Sequence, residues 1–328
     1  MMCKLYLAPI RGFTDAVYRN TFSEHFSGID IAVAPFVTTH QGKRIRPALI
    51  RGLLPENNTG MPLIPQILSK DPEGFIRLAT RLYDLGYGTV NWNLGCPFPM
   101  VANKQRGSGL LPYPDKIDSF LETVLPAIPN ILSVKTRLGR RHGDEIFRVM
   151  PVFNRHPLKE IIIHPRVGIQ MYEGKPDLET FEACLGLSAH PVVYNGDISS
   201  LDSFQGLSLR FPEVSRWMLG RGVLINPLLP EIIRNGQDIF PHKIEIIRQF
   251  HDALFQEYGK ILCGPSHLLE RMKGFWKYFS LAFEQGRKIR KKVHKTKKTD
   301  HYTQIVSHFF ENEALWADVP VSDINEWF

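Results

Sequence analysis

The first residue with obvious chemical potential in this sequence is a cysteine in a turn. Cys96 lies between Gly95 and Pro97 in NWNLGCPFP, directly after the strand-like segment YGTVNWNL. The glycine and the proline end the strand and leave the thiol in a loop, where it can meet a ligand. The alternative is a thiol that only happens to lie in a turn, because one cysteine without partner residues says little.

Polar side chains at the ends of three other apolar segments could bind a flavin. Lys135 would point a cation into the site, and a flavin would use it, because reduction leaves negative charge near N1 and O2 of the ring. His164 could donate to the same ring or to its phosphate, and Gln66 could hydrogen-bond an amide edge of the ring. A satisfied core histidine is the alternative for His164. As a set, these residues favour a flavin site.

Glycines in two late segments favour phosphate binding. YNGDI contains Gly196, and LGRG contains Gly220 and Gly222. Glycines at such positions let backbone amides approach a phosphate, and Arg221 can add a charge-assisted contact. Tight turns alone would also use glycine. The two segments together predict a phosphorylated cofactor or substrate.

The elements that must position these residues are short apolar segments alternating with helical patterns, which is typical of parallel βα units. Strands are predicted at residues 4–10, 29–37, 62–68, 88–94, 131–138, 160–166, 191–198 and 216–222. Eight such strands predict an α/β fold, a (β/α)8 TIM barrel, whose closed sheet buries each strand on both faces. A doubly wound open sheet is the structural rival. It requires a G-x-G-x-x-G turn after the first strand, and APIRGFTDAVYR lacks one.

Polar and special residues collect at the carboxyl ends of these predicted strands. They are Pro9, Gln66, Asn93, Cys96, Lys135, Arg137, His164, Arg166, Asn195, Gly196, Asp197, Gly220, Arg221 and Gly222. In a parallel barrel all carboxyl ends open on one face, so these distant residues would converge. This convergence predicts an enzyme.

After about residue 235 the pattern changes to that of amphipathic helices. Apolar residues recur at helical spacing in two sets: Ile247, Phe250, Leu254 and Tyr258, then Leu268, Met272, Phe275 and Phe279. The second set is interleaved with Arg271, Lys273 and Lys277. We therefore predict a catalytic barrel at residues 1–235 and a small, basic, all-helical C-terminal domain at 236–328.

The net charge of +7 is concentrated in one stretch. RKIRKKVHKTKK, residues 287–298, holds 8 bases and no acid, which leaves 32 of the 40 bases against 33 acids elsewhere. Such a run binds nucleic-acid phosphates with an affinity that depends on salt. A solvated or disordered basic tail is the alternative.

The composition also narrows the class of protein. No apolar run reaches the roughly 18 residues of a membrane span, and MMCKLYLAPIRG lacks the apolar core of a signal peptide, so we expect a cytoplasmic protein that does not enter a membrane. The 4 cysteines lie far apart and show no metal-ligand spacing. We therefore expect neither a disulfide nor a metal, and a monomer is the default expectation.

Taken in order, the motifs of this chain resemble those of the tRNA-dihydrouridine synthases. The segments are LAPIRGFTDAVYR, PQIL, NWNLGCP, GSGLL, SVKTRLG, IIHPR, YNGDI and LGRG. The similarity covers the whole predicted barrel and extends into the tail, where RMKGFWKYF resembles the family's helical RNA-binding domain. The tail favours the bacterial C-type branch, which implies uridine 16 of the D-loop as the target.

The resemblance implies an FMN-dependent enzyme that reduces the C5–C6 double bond of a D-loop uridine in tRNA, with NADPH or NADH as reductant. In that family reduced FMN delivers a hydride to C6 of a flipped-out uracil, and the cysteine at the position of Cys96 protonates C5 from the opposite side. Such a thiol must stay protonated and should not lie beside a strong cation. The resemblance further implies that Asn93 helps to position the base.

Other residues match the family's binding positions or adjoin them. The predicted FMN-binding residues are Pro9, Ile10, Gln66, Lys135, His164, Asn195, Gly196, Asp197, Gly220 and Arg221. The predicted RNA-binding residues are Arg137, Arg271, Lys273, Lys277, Arg287, Lys288, Arg290 and Lys291.

Two loops depart from the family's pattern. Residues 10–12 read IRG, where relatives often have methionine, then an acidic or small residue, then glycine. Arg11 therefore adds a charge near the expected FMN. After GCP many relatives have a small residue and one or two lysines, whereas this chain has FPM at residues 98–100. The dense basic run could offset the missing lysines.

Two other functions fit part of the pattern. A flavin barrel that acts on a free pyrimidine or a small enone, as in dihydroorotate oxidation, would leave the basic helical tail without a purpose. A non-catalytic RNA-binding barrel would have no need of Cys96, Lys135 and His164. The sequence therefore favours the tRNA-modifying enzyme.

Overall fold

The computed structural model describes residues 3–39 and 45–317. Within them, ten strand segments form one sheet in which every pairing is parallel. The segments are β1 (Lys4–Leu7), β2 (Ile31–Val33), β3 (Val37–Thr38), β4 (Leu63–Ile64), β5 (Gln66–Leu68), β6 (Thr89–Leu94), β7 (Ile131–Gly139), β8 (Ile161–Val167), β9 (Val192–Tyr194) and β10 (Arg216–Leu219).

These segments make a closed barrel of eight strands. Only residues 34–36 separate β2 from β3, and only Pro65, which has no N–H to donate to the ladder, separates β4 from β5. Because β2 pairs with β4 and β3 pairs with β5, the consecutive segments β2 and β3 make one interrupted strand, and β4 and β5 make its interrupted neighbour. The ring closes because β1 pairs with both β2 and β10. The predicted (β/α)8 barrel is thus confirmed, each of the eight predicted segments overlaps a strand, and the open-sheet rival is wrong.

Helices follow the strands along the chain and cover the outside of the barrel. They are α1 (Ala16–His25), α2 (Pro47–Ile50), α3 (Pro72–Asp84), α4 (Pro99–Ala102), α5 (Pro114–Val124), α6 (Glu145–Asn154), α7 (Leu178–Leu187), α8 (Leu201–Arg210), α9 (Arg221–Ile225) and α10 (Leu229–Asn235). Their inner faces follow the helical period; in α3, for example, Phe75, Leu78, Ala79 and Leu82 are all buried. Short 3₁₀ turns lie at Arg51–Leu53, Pro55–Asn57, Gly107–Leu110, Leu125–Ala127, Gly168–Gln170 and Ser280–Ala282.

The C-terminal region is helical, as predicted. It contains α11 (Lys243–Ile261), α12 (Pro265–Phe279), α13 (Gly286–Lys295), α14 (Thr299–His308) and a π turn at Phe309–Glu313. The buried apolar cluster of the barrel continues through these helices without a break. The division into domains at residue 235, where α10 ends, therefore stays a prediction.

Aromatic packing and two polar contacts join the helical region to the first βα unit of the barrel. Phe250 of α11 packs against Tyr18 of α1 at 5.7 Å, and Tyr18 stacks on Phe275 of α12 at 5.7 Å. The Tyr258 hydroxyl donates to Asp15 at 2.7 Å, and Arg271 donates to the same carboxylate at 3.1 Å. The helical region is thereby held beside the loop that follows β1.

The basic run at 287–298 forms an ordered helix over most of its length. In α13, Ile289 and Val293 are one turn apart and both are buried, whereas Lys288 and Lys291 are exposed. Glu313 accepts a hydrogen bond from Lys292 at 2.7 Å, which fastens α13 to the π turn. The alternative of a disordered tail is therefore wrong for this stretch.

Within residues 3–39 and 45–317, every helix is too short or too polar to span a bilayer. The four cysteines, all of them in the described part of the chain, are free thiols. No group of histidine, cysteine, aspartate or glutamate side chains in this part of the chain could hold a metal ion.

Candidate active site

The carboxyl ends of the strands open on a cavity of about 550 Å³. Nine of the ten predicted cofactor residues line it: Pro9, Ile10, Lys135, His164, Asn195, Gly196, Asp197, Gly220 and Arg221. They belong to β1, β7, β8, β9, β10 and the loops that follow, so only barrel closure brings them together. Phe13, from the loop after β1, and Tyr278, from α12, also line the cavity.

Lys135 is the cation at the inner end of this cavity. Burial, reinforced by the neighbouring Arg137 guanidinium, lowers the pKa of Lys135 to about 7. Among the described residues its ammonium has neither a hydrogen-bond acceptor nor an acid partner. A desolvated ammonium without a partner is costly, so the site is suited to a ligand that presents negative charge there.

His164 is held as a neutral ring with a defined tautomer. Burial first, and then the surrounding cations led by Arg137, lower the pKa of His164 well below its usual range. Arg166 lies 3.1 Å from its Nε2. Because a guanidinium can only donate, Nε2 must accept, and the proton is therefore on Nδ1. His164 thus offers an N–H donor from the wall of the cavity.

Arg166 is a buried organiser that the sequence analysis placed at the strand end without a role. Its five N–H groups are all donated: to His164, to the carbonyls of Glu173 and Gly174, and twice to the Asp197 carboxylate. Sequence alone could have shown only that an arginine two residues after His164 ends the same strand. It could not show that this arginine fixes the histidine ring.

Asp197 ties two arginines to the cavity wall. Besides Arg166, it accepts from Arg221 at 2.8 Å. Burial opposes its ionisation, but the hydrogen bonds and charges of the two arginines prevail and hold its pKa below the usual range. The carboxylate therefore orients Arg221 in the cavity. Direct contact between Asp197 and a cofactor stays a prediction.

Gly220 and Gly222, the glycines after β10, differ in the space that surrounds them. A Cβ on Gly222 would lie 2.2 Å from the carbonyl oxygen of Ile198, so close packing of α9 excludes any side chain there. A Cβ on Gly220 would meet only ordinary contacts at 3.6 Å. Asn195 donates to the carbonyl of Met218 at 2.8 Å, which joins the end of β9 to β10. Phosphate binding by this region stays a prediction.

Cys96 is buried at the end of β6 in a turn that Asn93 holds. The Asn93 Oδ1 accepts from the backbone amides of Gly95 at 3.1 Å and Cys96 at 2.9 Å. Its carbonyl oxygen is thus fully used inside the turn, and one N–H of its amide is donated to Gln66, which leaves the other N–H to meet a base. The structure therefore gives Asn93 a role in positioning the thiol, beside the predicted role in positioning the base.

A chain of buried amides continues from Asn93 across the barrel interior. Asn93 donates to Gln66, Gln66 donates to Asn91, both at 2.7 Å, and Asn91 donates to Ser133 at 2.8 Å. Gln66 is fully buried and does not line the cavity. Its observed partners support the cysteine turn, and its predicted contact with a flavin stays a prediction.

The GSGLL motif forms a platform beneath the cysteine turn. Gly107 has a φ of +56°, and a Cβ there would come within 2.7 Å of the carbonyl oxygen of Cys96. Both the amide and the hydroxyl of Ser108 donate to that oxygen at 3.1 Å. A Cβ on Gly109 would collide with the carbonyl of Ala102 at 2.0 Å. Close backbone approach therefore explains both glycines.

The Cys96 thiol is protonated despite three nearby cations. Burial raises the pKa of Cys96, while Arg137, Arg11 and Lys135 act in the opposite direction and are outweighed. The expectation that no strong cation lies near the thiol is wrong, but the expected consequence, a neutral thiol at neutral pH, follows from burial.

Tyr172 lines the cavity, and Arg137 lies behind its ring. Arg137 is only 2% exposed and donates to the carbonyls of Val167 at 2.9 Å and Met171 at 2.6 Å. Its side chain therefore does not lie on the outer surface, and its predicted contact with RNA stays a prediction. The guanidiniums of Arg137 and Arg221 lie over the ring of Tyr172, at 5.5 and 4.8 Å from its centre. An isolated tyrosine in a long loop carries no sequence signal of this role.

The predicted RNA-binding residues of the tail fall into two groups. Arg271 donates to the carbonyl of Gly12 and to Asp15, so it fastens α12 to the barrel, and Lys273 pairs with Glu270 at 3.1 Å. The side chains of the other group lie on α12 and α13: Lys277, Arg287, Lys288, Arg290 and Lys291. RNA contact by either group stays a prediction.

A sequence profile described as Dihydrouridine synthase (Dus) matches residues 6–314. The chain belongs to the dihydrouridine synthase family. It is therefore an oxidoreductase, and the resemblance stated from its motifs is confirmed.

Three relatives illustrate how far the similarity of this dihydrouridine synthase extends. A "Probable tRNA-dihydrouridine synthase 2" of Bacillus subtilis is 26% identical, over 92% of this chain and 93% of the relative. A "tRNA-dihydrouridine(16) synthase" of Vibrio vulnificus is 23% identical, over 94% and 98%. A "Probable tRNA-dihydrouridine synthase" of Helicobacter pylori is 25% identical, over 97% and 95%.

Solved structures share the barrel of this dihydrouridine synthase. An old yellow enzyme homologue from Zymomonas mobilis has a TM-score of 0.53 at 12% identity, covering 74% of this chain and 91% of that chain. Morphinone reductase has a TM-score of 0.51 at 12% identity, covering 73% and 87%. At this identity the likeness concerns the fold.

Proposed function

We propose that this dihydrouridine synthase reduces the C5–C6 double bond of a D-loop uridine in tRNA, with FMN as cofactor and NADPH or NADH as reductant. One observation carries the proposal: the buried, protonated Cys96 does not itself line the cavity, but its thiol lies within reach of the charges of Lys135 and Arg11, which do, and Lys135 has no partner among the described residues. A proton donor and an anion-seeking cation at one site suit the addition of hydrogen across a polarised double bond.

The residues of the cavity suit FMN. Lys135 would face the part of the ring that gains negative charge on reduction, and the Nδ1–H of His164 would donate to the ring or the phosphate. Arg221, oriented by Asp197, would contribute positive charge toward the phosphate. Bound and reduced, FMN would supply the hydride that C6 of the uracil accepts.

Cys96 would supply the proton. Its S–H bond breaks as a C–H bond forms at C5 of the uracil, and the electron pair stays on sulfur as a thiolate. The surrounding cations Arg137, Arg11 and Lys135 would stabilise that thiolate until it regains a proton from water. Burial keeps the thiol protonated before the reaction. The cations lower the free-energy cost of forming the thiolate when the proton is transferred.

The tRNA would be held by the helical region while the barrel does the chemistry. We assign catalysis to residues 1–235 and RNA binding to 236–328, since α13 carries exposed basic residues and α12, which precedes it, contributes Tyr278 to the cavity lining. A uridine stacked inside a folded tRNA must leave the stack to reach a buried thiol. A tRNA substrate would place the enzyme in the cytoplasm, and we retain the expectation of a monomer.

The target uridine is proposed from similarity. A relative that spans nearly this whole chain is named tRNA-dihydrouridine(16) synthase. We therefore propose uridine 16 as the position modified.

Mass spectrometry of unmodified tRNA transcripts tests this proposal. After incubation with the purified protein, FMN and NADPH, we expect a gain of two hydrogens on one D-loop uridine, which fragment mapping would locate. The absence of any gain from protein whose flavin NADPH reduces would refute the tRNA substrate. Small pyrimidines and enones would then be the next substrates to assay.

A further inference from the structure

We propose that Phe98 and Arg11 form a clasp at the cavity mouth for an unpaired nucleotide next to the target uridine. Phe98 stacks on the base and Arg11 contacts the backbone phosphate. This inference rests on the proposed function, because it takes tRNA to be the substrate. It concerns two positions at which the chain departs from its family's pattern.

Phe98 is an aromatic ring presented to the cavity on a rigid support. It lines the cavity yet is 48% exposed, two residues after the buried Cys96. The carbonyl of the preceding Pro97 accepts from Arg140 at 3.2 Å. The carbonyl of Phe98 itself accepts from the amides of Val101 and Ala102, both at 2.9 Å, where α4 begins. Because the backbone on both sides of the ring is fixed, only the side-chain rotation of Phe98 has to be ordered when a base stacks on it.

Arg11 is an exposed cation that faces the same cavity. It lines the cavity, and its guanidinium lies 5.6 Å from the centre of the Phe36 ring, which supports the side chain. In the part of the chain that the structure describes, no acid pairs with Arg11 and no carbonyl accepts from it. An arginine free to donate at the rim is suited to an incoming phosphate.

The cavity has residues both at its buried end and at its exposed rim, and this arrangement favours a nucleotide within RNA over a small free substrate. Lys135 and His164 lie at the buried end, where the proposed flavin and the reacting uracil belong. Phe98 and Arg11 lie at the exposed rim of the same cavity. A free pyrimidine would be held entirely by the inner residues, whereas a flipped uridine brings its neighbours to the rim.

The pairing of an aromatic ring with an arginine is itself typical of sites for unpaired nucleotides. Aromatic faces stack on any base, and arginine adds phosphate and cation–π contacts. A neighbour of the flipped uridine loses a stacking partner, and the Phe98 ring would replace it.

The test is the dissociation constant of flavin-loaded protein for an unmodified tRNA transcript, measured over a series of salt concentrations. We expect Phe98→Ala to weaken binding at least about fivefold with an unchanged salt slope, and Phe98→Tyr to restore it. Arg11→Ala should reduce the slope of log Kd against log salt by about 0.7 to 0.9. The controls are Met100→Ala, which alters an 81% exposed side chain in α4, two residues after Phe98 but off the cavity, and Lys4→Ala at the opposite end of the barrel.

Equal affinities of the Phe98→Ala and Met100→Ala variants would overturn the stacking role. So would loss of flavin from Phe98→Ala, which would place the ring in the cofactor site. An unchanged salt slope in Arg11→Ala would overturn the phosphate contact. Binding is measured apart from turnover, so wild-type protein that binds tRNA without forming dihydrouridine would refute the proposed function and still leave these results readable.

Discussion

Replacement of Cys96 by alanine is the perturbation that tests the site most directly. The thiol is buried at the end of β6, and its turn is held by the Asn93 side chain and by Ser108. These supports act on the backbone of residue 96, so alanine should keep the turn in place. The variant then lacks only the proton that C5 of the uracil requires.

The expected decrease in rate follows from the role of Cys96 as a general acid and from the protonation state of its thiol. Positioned general acids typically contribute about 100- to 10,000-fold to a rate. Burial raises the pKa of Cys96 above its usual value, so nearly all molecules carry the proton at neutral pH. We therefore expect Cys96→Ala to lower the rate of dihydrouridine formation at least about 100-fold.

The rate of dihydrouridine formation should decrease at high pH. The acid is active while protonated, and its pKa is raised, so the wild-type rate should stay level through neutral pH. It should fall only at alkaline pH, as the pH rises through the raised pKa of the thiol. The alanine variant should lose this alkaline limb.

Two assays separate this role from damage to the fold. Single-turnover formation of dihydrouridine is measured by mass spectrometry, and reduction of bound flavin by NADPH is followed from its absorbance. Cys184→Ala, which removes another buried free thiol outside the cavity, is the matched control and should keep both activities. Full dihydrouridine formation by Cys96→Ala would refute the general-acid role, and loss of flavin reduction would show that the residue serves the cofactor instead.

Three further predictions concern the supports of the site and the RNA-binding helix. Gly107→Ala, at a φ of +56° and facing the carbonyl of Cys96 at 2.7 Å, should reduce the free energy of unfolding by about 1–3 kcal/mol in a denaturant titration. Gly186→Ala, on a helix and with no atom within 4 Å of the added Cβ, should not, and equal losses would contradict the close-approach explanation. Lys135→Met should weaken FMN binding about tenfold or more in a fluorescence titration, since the unpartnered ammonium is removed, and unchanged affinity would remove Lys135 from the cofactor site. Joint replacement of the exposed Lys288 and Lys291 by alanine should lower the salt slope of tRNA binding by about 1.5, and an unaltered slope would show that α13 does not meet RNA phosphates.

The positions of many site residues could be predicted because a parallel barrel has a simple rule. Residues that follow strands at their carboxyl ends share one face, so a pattern of apolar segments and the residues after them predicts convergence. Lys135, His164 and Arg221 line one cavity for this reason. Gln66 was predicted by the same rule, but it begins β5 instead of following it, and at this depth its side chain bonds to Asn91 and Asn93 inside the barrel and does not line the cavity.

Charge is visible in a sequence, whereas exposure is not. Arg137 and Arg271 were expected on an RNA surface, but one is buried against backbone carbonyls and the other fastens α12 to Asp15. Both outcomes depend on which carbonyls and carboxylates the fold brings within reach. The role of Arg166 was hidden for the same reason, since its partners lie on three separate segments.

By itself, the sequence determined the barrel, the helical tail, the location of the basic helix and the family to which the chain belongs. These features depend on local periodicity and on the order of motifs, which are properties of the chain before it folds. Only the tertiary structure decided that Cys96 is protonated, that His164 is a neutral donor, and that Phe98 and Arg11 share the rim of one cavity. Protonation and accessibility depend on what surrounds a group in space, and barrel closure assembles those surroundings from residues far apart in the chain.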